Sequence, residues 1–569
     1  MARSNTSYLP LHLIIGLFLL LSCKCRSDHP AAGDRKTLLA IKHDWGNPPK
    51  LASWDPAAAA DHCSWKGVKC VGAGRVVTEL SLQNLSLDGS VPASVCELRN
   101  LTRLDLSHNR LEGAFPAAAL YACSQLRFLD ISYNDFTGLL PADIVGLSPL
   151  MEHLGLSNNG FNGTVPAAVA RLPALKFLLL HANSFTGSYP AGEISELVEL
   201  ELLDLSGNAF ASAPVPPEFA KLTKLTSLRM DGMGLTGEIP ETFASLTELT
   251  DLSMSSNNLE GSIPAWVWQH RKLEYVDLFN NGLSGELARN FTAVKLIELD
   301  ASSNKLTGSI PVWVCQQEKL EYVYLSNNNL SGELPSNMTA VNLVELHISF
   351  NQLTGEIPVA FGNLKNLEDL DLSDNQLIGK IPVGIGMLPR LKYFTASNNQ
   401  LSGELPPELG KHSPISAICV ENNNLSGPLP KTFCTNEKLE YIHVSNNSFT
   451  GELPANIGDC IKLQYLYIDD NHFSGNFPAK IWSLPNLGMV TIENNRFTGT
   501  LSAEVSSSIS EIWMGNNMFS GSIPTSATGL SIFRADNNRL NGTLPADMSK
   551  LPNLKVLSLR GNRITGPIP

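Results

Sequence analysis

The sequence has little positive charge to spare. Its 41 Lys and Arg residues are outnumbered by 54 Asp and Glu, leaving a net charge of −13. That balance excludes a nucleic-acid partner, which would call for clustered cations. Apolar runs are also short. Leu11–Leu21 is bounded by Pro10 and Lys24, and no later segment approaches the about 20 apolar residues a membrane span needs. Catalytic signatures are missing as well. There is no H-E-x-x-H, no Walker A loop, no paired C-x-x-C and no kinase set of Gly-rich loop, V-A-I-K, H-R-D and D-F-G. The carboxylates are scattered, so no catalytic residue and no metal or other cofactor is expected.

What is present is one stretch repeated. A clean copy reads Leu370-Asp-Leu372-Ser-Asp-Asn375-Gln-Leu377-Ile-Gly379-Lys-Ile381-Pro382, and equivalents recur at a period of roughly 24 residues. Leu-x-Leu alternation predicts a short strand with one buried face. The asparagine falls where the chain turns, and an inward amide there requires backbone partners. Glycine permits a turn, and Ile-Pro is extended chain. One unit cannot bury its leucines alone, so the units must stack. The strand centres are read at Leu80, Leu104, Leu129, Leu154, Leu178, Leu203, Leu228, Leu252, Val276, Leu299, Val323, Leu346, Leu370, Phe394, Ile418, Ile442, Leu466, Val490, Ile512, Phe533 and Leu557. Leu85 and Met233 replace the asparagine in two units. Closer spacing near Ile512 and Phe533 predicts irregular packing there.

The repeat resembles the leucine-rich repeat, in its plant-specific form. The implied fold class is α/β, a right-handed curved solenoid. Its organisation is read as a secretory signal over 1–27, an N-terminal cap over 28–75 and an array of roughly twenty-one repeats over 76–569. Arg3 and the short apolar run carry the signal reading. The cap reading rests on Leu38, Leu39 and Ile41 at helical spacing, then Trp54 and Cys63-Ser-Trp65-Lys-Gly67-Val68-Lys-Cys70. A secreted setting implies a Cys63–Cys70 disulfide. Repeat offsets predict two more, Cys96–Cys123 and Cys434–Cys460, and leave Cys315 and Cys419 as free thiols. Because the sequence stops at the Ile-Pro step of its final repeat, a truncated array is expected. Glycosylation acceptors are Asn84, Asn100, Asn162, Asn290, Asn329, Asn337, Asn424, Asn446 and Asn541, of which several are expected to be used.

Residues flanking the strand centres should project from the concave face. They include Phe177, Tyr275, Phe279, Tyr322, Tyr324, Tyr393, Tyr441, Tyr465, Tyr467 and Trp513, and the acids Asp251, Asp277, Glu298, Asp300, Glu345, Asp369 and Asp371. Aligned aromatics are binding anchors. The expected groove is acidic in its middle and aromatic beyond.

Three stretches carry a narrower resemblance: Ser94-Val-Cys96-Glu-Leu98 with Cys123, Val276-Asp-Leu-Phe-Asn-Asn281 with Ser284-Gly-Glu286, and Thr432-Phe-Cys434 with Lys438-Leu-Glu-Tyr441. They are similar to the ectodomains of HAESA and HAESA-like plant receptor kinases. The resemblance implies a secreted peptide ligand on the concave strands and a shorter leucine-rich repeat co-receptor kinase. It also implies a cell-surface location, with membrane attachment and Ser/Thr kinase in segments absent from this chain. Asp277 would contact a hydroxylated proline of the ligand. Where the family reads a peptide carboxylate with an Arg-x-Arg pair, this chain has Tyr465 and Tyr467. The competing expectation is a secreted repeat protein that binds a foreign protein such as a cell-wall hydrolase.

Overall fold

The computed structural model describes residues 30–57, 61–502 and 504–568. The secretory signal expected over 1–27 lies outside them. The chain forms two compact units. One is made of residues up to Gly160 with Leu172–Ala174, and the other of Phe161–Arg171 and everything from Leu175 onward.

The first unit opens with the helix Pro30–Asp44. Leu38 and Ile41 on that helix are fully buried, as is Trp54 after it. Polar groups fix the cap in place. Asp34 accepts the Val77 N–H at 2.8 Å, and the Trp54 indole donates to the Lys66 carbonyl at 2.9 Å. Trp54 stacks on Trp65 at 6.0 Å. Cys63 and Cys70 are bonded, with Cα atoms 5.5 Å apart. The strand Val68–Val71 runs antiparallel to Val76–Ser81. Parallel strands Arg103–Asp105, Phe128–Asp130 and His153–Gly155 then follow in unshifted register. Cys96 and Cys123 bridge adjacent turns, with Cα atoms 4.8 Å apart.

In the second unit each repeat contributes one short strand to a parallel sheet, from Phe177–Leu179 to Val556–Ser558. Every strand centre read from the sequence sits at the middle of such a strand, with Leu80 inside a longer one. Leu370, Leu372 and Leu377 have no exposure, which stabilises the unit by about 1.5–3 kcal/mol per side chain. Asn375 shows how the turns are joined. Its Oδ1 accepts the Leu353 N–H at 3.0 Å, and its Nδ2 donates to the Ile348 carbonyl of the previous turn at 3.0 Å. The same geometry recurs at Asn399, Asn423, Asn447 and Asn471. Where the asparagine is replaced, the following one takes over. Asn109 Oδ1 accepts from both Leu85 and Leu87, and Asn257 Oδ1 from both Met233 and Leu235.

Glycine does more than turn the chain. At Gly379 (φ +76°) a Cβ would lie 2.8 Å from Cγ of Glu356, whose side chain crosses that space from the turn before. Past the turns, Phe449, Phe473 and Phe497 stack in series at 6.0 and 5.9 Å. Cys434 and Cys460 are joined, with Cα atoms 5.3 Å apart. Cys315 is buried and Cys419 half-buried, both as thiols.

The shortened spacing near Ile512 and Phe533 leaves the strand ladder regular. Val490 pairs with Ile512 and Ile512 with Phe533 without a register shift. The short units lose residues elsewhere, in the segments from Thr500 to Glu511 and from Gly521 to Ile532 that lead back to the next ladder strand. The strand ladder is held by backbone hydrogen bonds on both sides, so the return segment absorbs the deletion.

Candidate functional site

A three-residue strand with a buried centre turns its first and third side chains to the open face. Parallel register then aligns these side chains into two columns in the second unit. The first column reads Asp251, Tyr275, Glu298, Tyr322, Glu345, Asp369, Tyr393, Ala417, Tyr441 and Tyr465. The second reads Asp277, Asp300, Tyr324, His347, Asp371, Thr395, Cys419, His443 and Tyr467. Trp513 stands further along the second column, and Phe177 belongs to the first strand of this unit. Phe279 lies just past the strand end, 39% exposed, its N–H donating to Asp277 Oδ1 at 3.0 Å. The rings and acids expected on the open face therefore share one surface. Their order differs from a simple acidic middle followed by aromatics, because acids and rings alternate along the first column from Asp251 to Glu345, and Asp369 then precedes Tyr393.

The acids are held by hydroxyl and amide donors. Asp300 accepts Ser302 N–H at 2.9 Å, Glu345 accepts the Tyr324 hydroxyl at 2.6 Å, and Asp371 accepts the Thr395 hydroxyl at 2.7 Å. Basic partners are the imidazole of His347, 3.3 Å from Asp369, and the guanidinium of Arg229, 2.7 Å from Asp251 through Nε. Burial pushes Asp277 above the ordinary carboxylate range, and Asp231 and Asp300 add to it. Burial does the same for Glu298, reinforced by Asp277, Asp300, Glu345 and Asp251. Asp300 is raised by burial in spite of its serine donors. Burial alone would lower His347, but its contact with Asp369 and the fields of Asp371 and Glu345 raise it. Carboxylates raised by burial, and at Asp277 and Glu298 by neighbouring acids as well, are a surface suited to an incoming cation.

Beyond Tyr393 the face becomes aromatic. Tyr441 lies 5.4 Å from Tyr465 and 5.5 Å from Tyr467, and His443 lies 5.1 Å from Tyr467. Asn84, Asn100, Asn162, Asn290, Asn329, Asn337, Asn424, Asn446 and Asn541 are exposed, and none stands in either column.

Sequence inspection did not single out His347 and His443, nor Arg103 and His153 in the first unit. There Arg103 lies 3.4 Å over the Phe128 ring, and Phe128 stacks on His153 at 4.0 Å. All of these flank a strand centre. The repeat frame would have found them had it been searched for cations as well as for acids and rings.

A ladder of identical turns with inward asparagines and a capped start defines a leucine-rich repeat protein. The leucine rich repeat N-terminal domain matches residues 31–71, and leucine rich repeat matches cover 99–161, 248–269, 295–317, 319–340, 341–401, 438–460, 462–484 and 553–569. The chain belongs to the family of plant leucine-rich repeat receptor kinase ectodomains. It is 30% identical to the Arabidopsis receptor kinase HAESA, in a crystal structure with the peptide hormone IDA and the co-receptor SERK1. The TM-score is 0.84, and 95% of each chain is covered. Against the crystal structure of a TDR receptor it is 32% identical with a TM-score of 0.76, covering 86% of this chain and 85% of that one. The leucine-rich repeat receptor protein kinase EMS1 of Arabidopsis thaliana is 37% identical over 94 residues, which are 16% of this chain and 8% of that protein. The chain thus matches a small part of that curated relative's length. Among the described residues, no helix is long and apolar enough to cross a membrane.

Proposed function

We propose that this chain is the extracellular, peptide-sensing region of a plant receptor-like kinase. An extended secreted peptide would lie along the open strand face of the second unit, across the columns from Asp251 to Tyr465. A shorter leucine-rich repeat co-receptor kinase would join the complex. Signalling would pass to a cytoplasmic Ser/Thr kinase carried by another part of the protein. The observation that carries this reading is the register itself. It brings rings and carboxylates from nine of ten successive repeats, all but the Ala417–Cys419 strand, onto one continuous surface. Exposed tyrosines bury much area at low entropy cost, and the acids favour a peptide with basic residues. Glycans on the predicted acceptor asparagines would stand outside both columns and leave the face open. The likeness to HAESA with its peptide hormone IDA and co-receptor SERK1 supports the same reading.

From Asp251 to Tyr465 the strands advance in nine steps, about 43 Å, which an extended peptide of about 13 residues spans. Calorimetric titration with synthetic basic peptides of that length tests the reading. Binding should weaken in Asp277→Ala and in Tyr465→Ala. Unchanged affinity in both variants would remove the strand face as the site.

A further inference from the structure

Aromatic rings on the strand faces have different fates according to their neighbours in register. Phe128 is flanked by Arg103 on the preceding strand, and that guanidinium lies 3.4 Å over its ring. Trp513 is flanked by Arg534 on the following strand, and Arg534 lies 4.3 Å over its ring. At both positions the chain supplies its own cation–π partner from the neighbouring strand.

The largest group of rings has no such partner. Tyr441, His443, Tyr465 and Tyr467 stand at four corners of two adjacent strands, with ring centroids 5.1–6.1 Å apart along the sides. Their register neighbours are Ala417 and Cys419 on one side and Met489 and Thr491 on the other. Neither strand offers a cation to the platform. Its rim is acidic. Glu421 Oε2 lies 3.3 Å from His443 Nδ1, and Asp469 accepts the Ser445 hydroxyl at 2.7 Å. Glu511 continues the first column beyond Met489. Burial pushes the Tyr441 and Tyr467 hydroxyls up, and the fields of Glu421 at Tyr441, and of Glu511 and Asp469 at Tyr467, push in the same direction. Burial holds His443 below its usual range in spite of Glu421 and Asp469.

Ring faces carry negative electrostatic potential, and a carboxylate rim adds to it. A ligand carboxylate would meet only repulsion from Glu421, Asp469 and Glu511. We propose that this platform seats an arginine side chain of the peptide, its guanidinium lying on Tyr465 and Tyr441 with the rim carboxylates in reach. The inference rests on the peptide-binding reading above and adds the chemistry of one contact. Tyr465, 39% exposed, is the ring most open to the ligand.

The probes are two small molecules, N-acetyl-arginine amide and N-acetyl-citrulline amide, which have nearly the same shape and differ in charge. Saturation-transfer NMR at millimolar concentration reads their binding to the whole chain. The arginine amide should bind and the citrulline amide should bind at least about threefold more weakly, the ratio an exposed cation–π contact carries. Tyr465→Leu should lose about the same factor, Glu421→Gln should weaken binding, and Tyr465→Phe, which keeps the ring, should not. Equal signals from the two amides, no signal from either, or an arginine signal untouched by Tyr465→Leu would overturn the proposal. Any of these results with basic-peptide binding still sensitive to Asp277→Ala would overturn the arginine seat alone. Loss of that sensitivity would instead count against the peptide-binding face.

Discussion

Tyr324 donates its hydroxyl to Glu345 across one strand step, at 2.6 Å. The two residues come from different columns of the open face, and the bond ties the acidic stretch to the ring beside it. Burial raises the Tyr324 hydroxyl, and the bond to Glu345 raises it further, so it stays a donor throughout the physiological range. Tyr324→Phe should cost about 1 kcal/mol of stability, the net worth of such a bond at a half-buried site. Urea denaturation of the two proteins checks this, and no change would mean the bond is absent in solution.

The inward asparagines should be the costliest polar residues to remove. Asn375→Ala strands the Leu353 N–H and the Ile348 carbonyl inside the stack. A buried unpaired group costs about 1–3 kcal/mol. Amide exchange at Leu353 and its neighbours should accelerate by roughly 30-fold, while repeats far along the array keep their protection. Uniform acceleration along the whole chain would contradict the local accounting.

Leucine spacing made the strands, the stacking and the inward asparagines legible in the sequence, because each follows from a period and a side-chain type. The repeat frame also places Tyr275, Glu298, Tyr322 and Glu345 on one face, while their contacts across the columns, such as Tyr324 to Glu345, come only from the unshifted register. A shortened period at Ile512 and Phe533 says that residues are missing, and the structure shows that they are missing from the return segment. The packing of Glu356 across Gly379 likewise needs coordinates, since the glycine alone reads as a turn.

His270 gives the fold a pH dependence. Its Nδ1 accepts the Lys272 and Leu273 N–H groups at 3.3 and 3.1 Å, and Nε2 lies 3.0 Å from the Leu246 carbonyl. Nδ1 must therefore be unprotonated. Burial, helped by Lys272, holds the ring below its usual value of 6.5. The unfolded chain takes up the proton first, so this site's contribution is complete above pH 6.5 and is lost as pH falls through the folded value. Thermal melts of wild type and His270→Gln should converge on acidification. A gap that widens with falling pH would contradict the assignment.

Asp277, Glu298 and Asp300 act in the opposite sense. Their folded values lie above the unfolded ones. Ionised, they oppose folding, and that cost is relieved as pH falls through the folded values. Binding of a basic peptide should be lost over the same interval, which begins above the ordinary carboxylate range. Calorimetry of one basic peptide from neutral to acid pH checks this, with Asp277→Asn and Asp300→Asn flattening the profile.

The most direct measurement is the footprint of a bound peptide. A basic synthetic peptide of about 13 residues, carrying photo-reactive groups along its length, is cross-linked to the chain and the attachment sites are mapped. Attachment should be confined to the two columns between Asp251 and Tyr467, advancing one repeat at a time in the order of the strands. Attachment chiefly on the 3-10 turns or on the short second strands such as Ile378–Lys380 would contradict it.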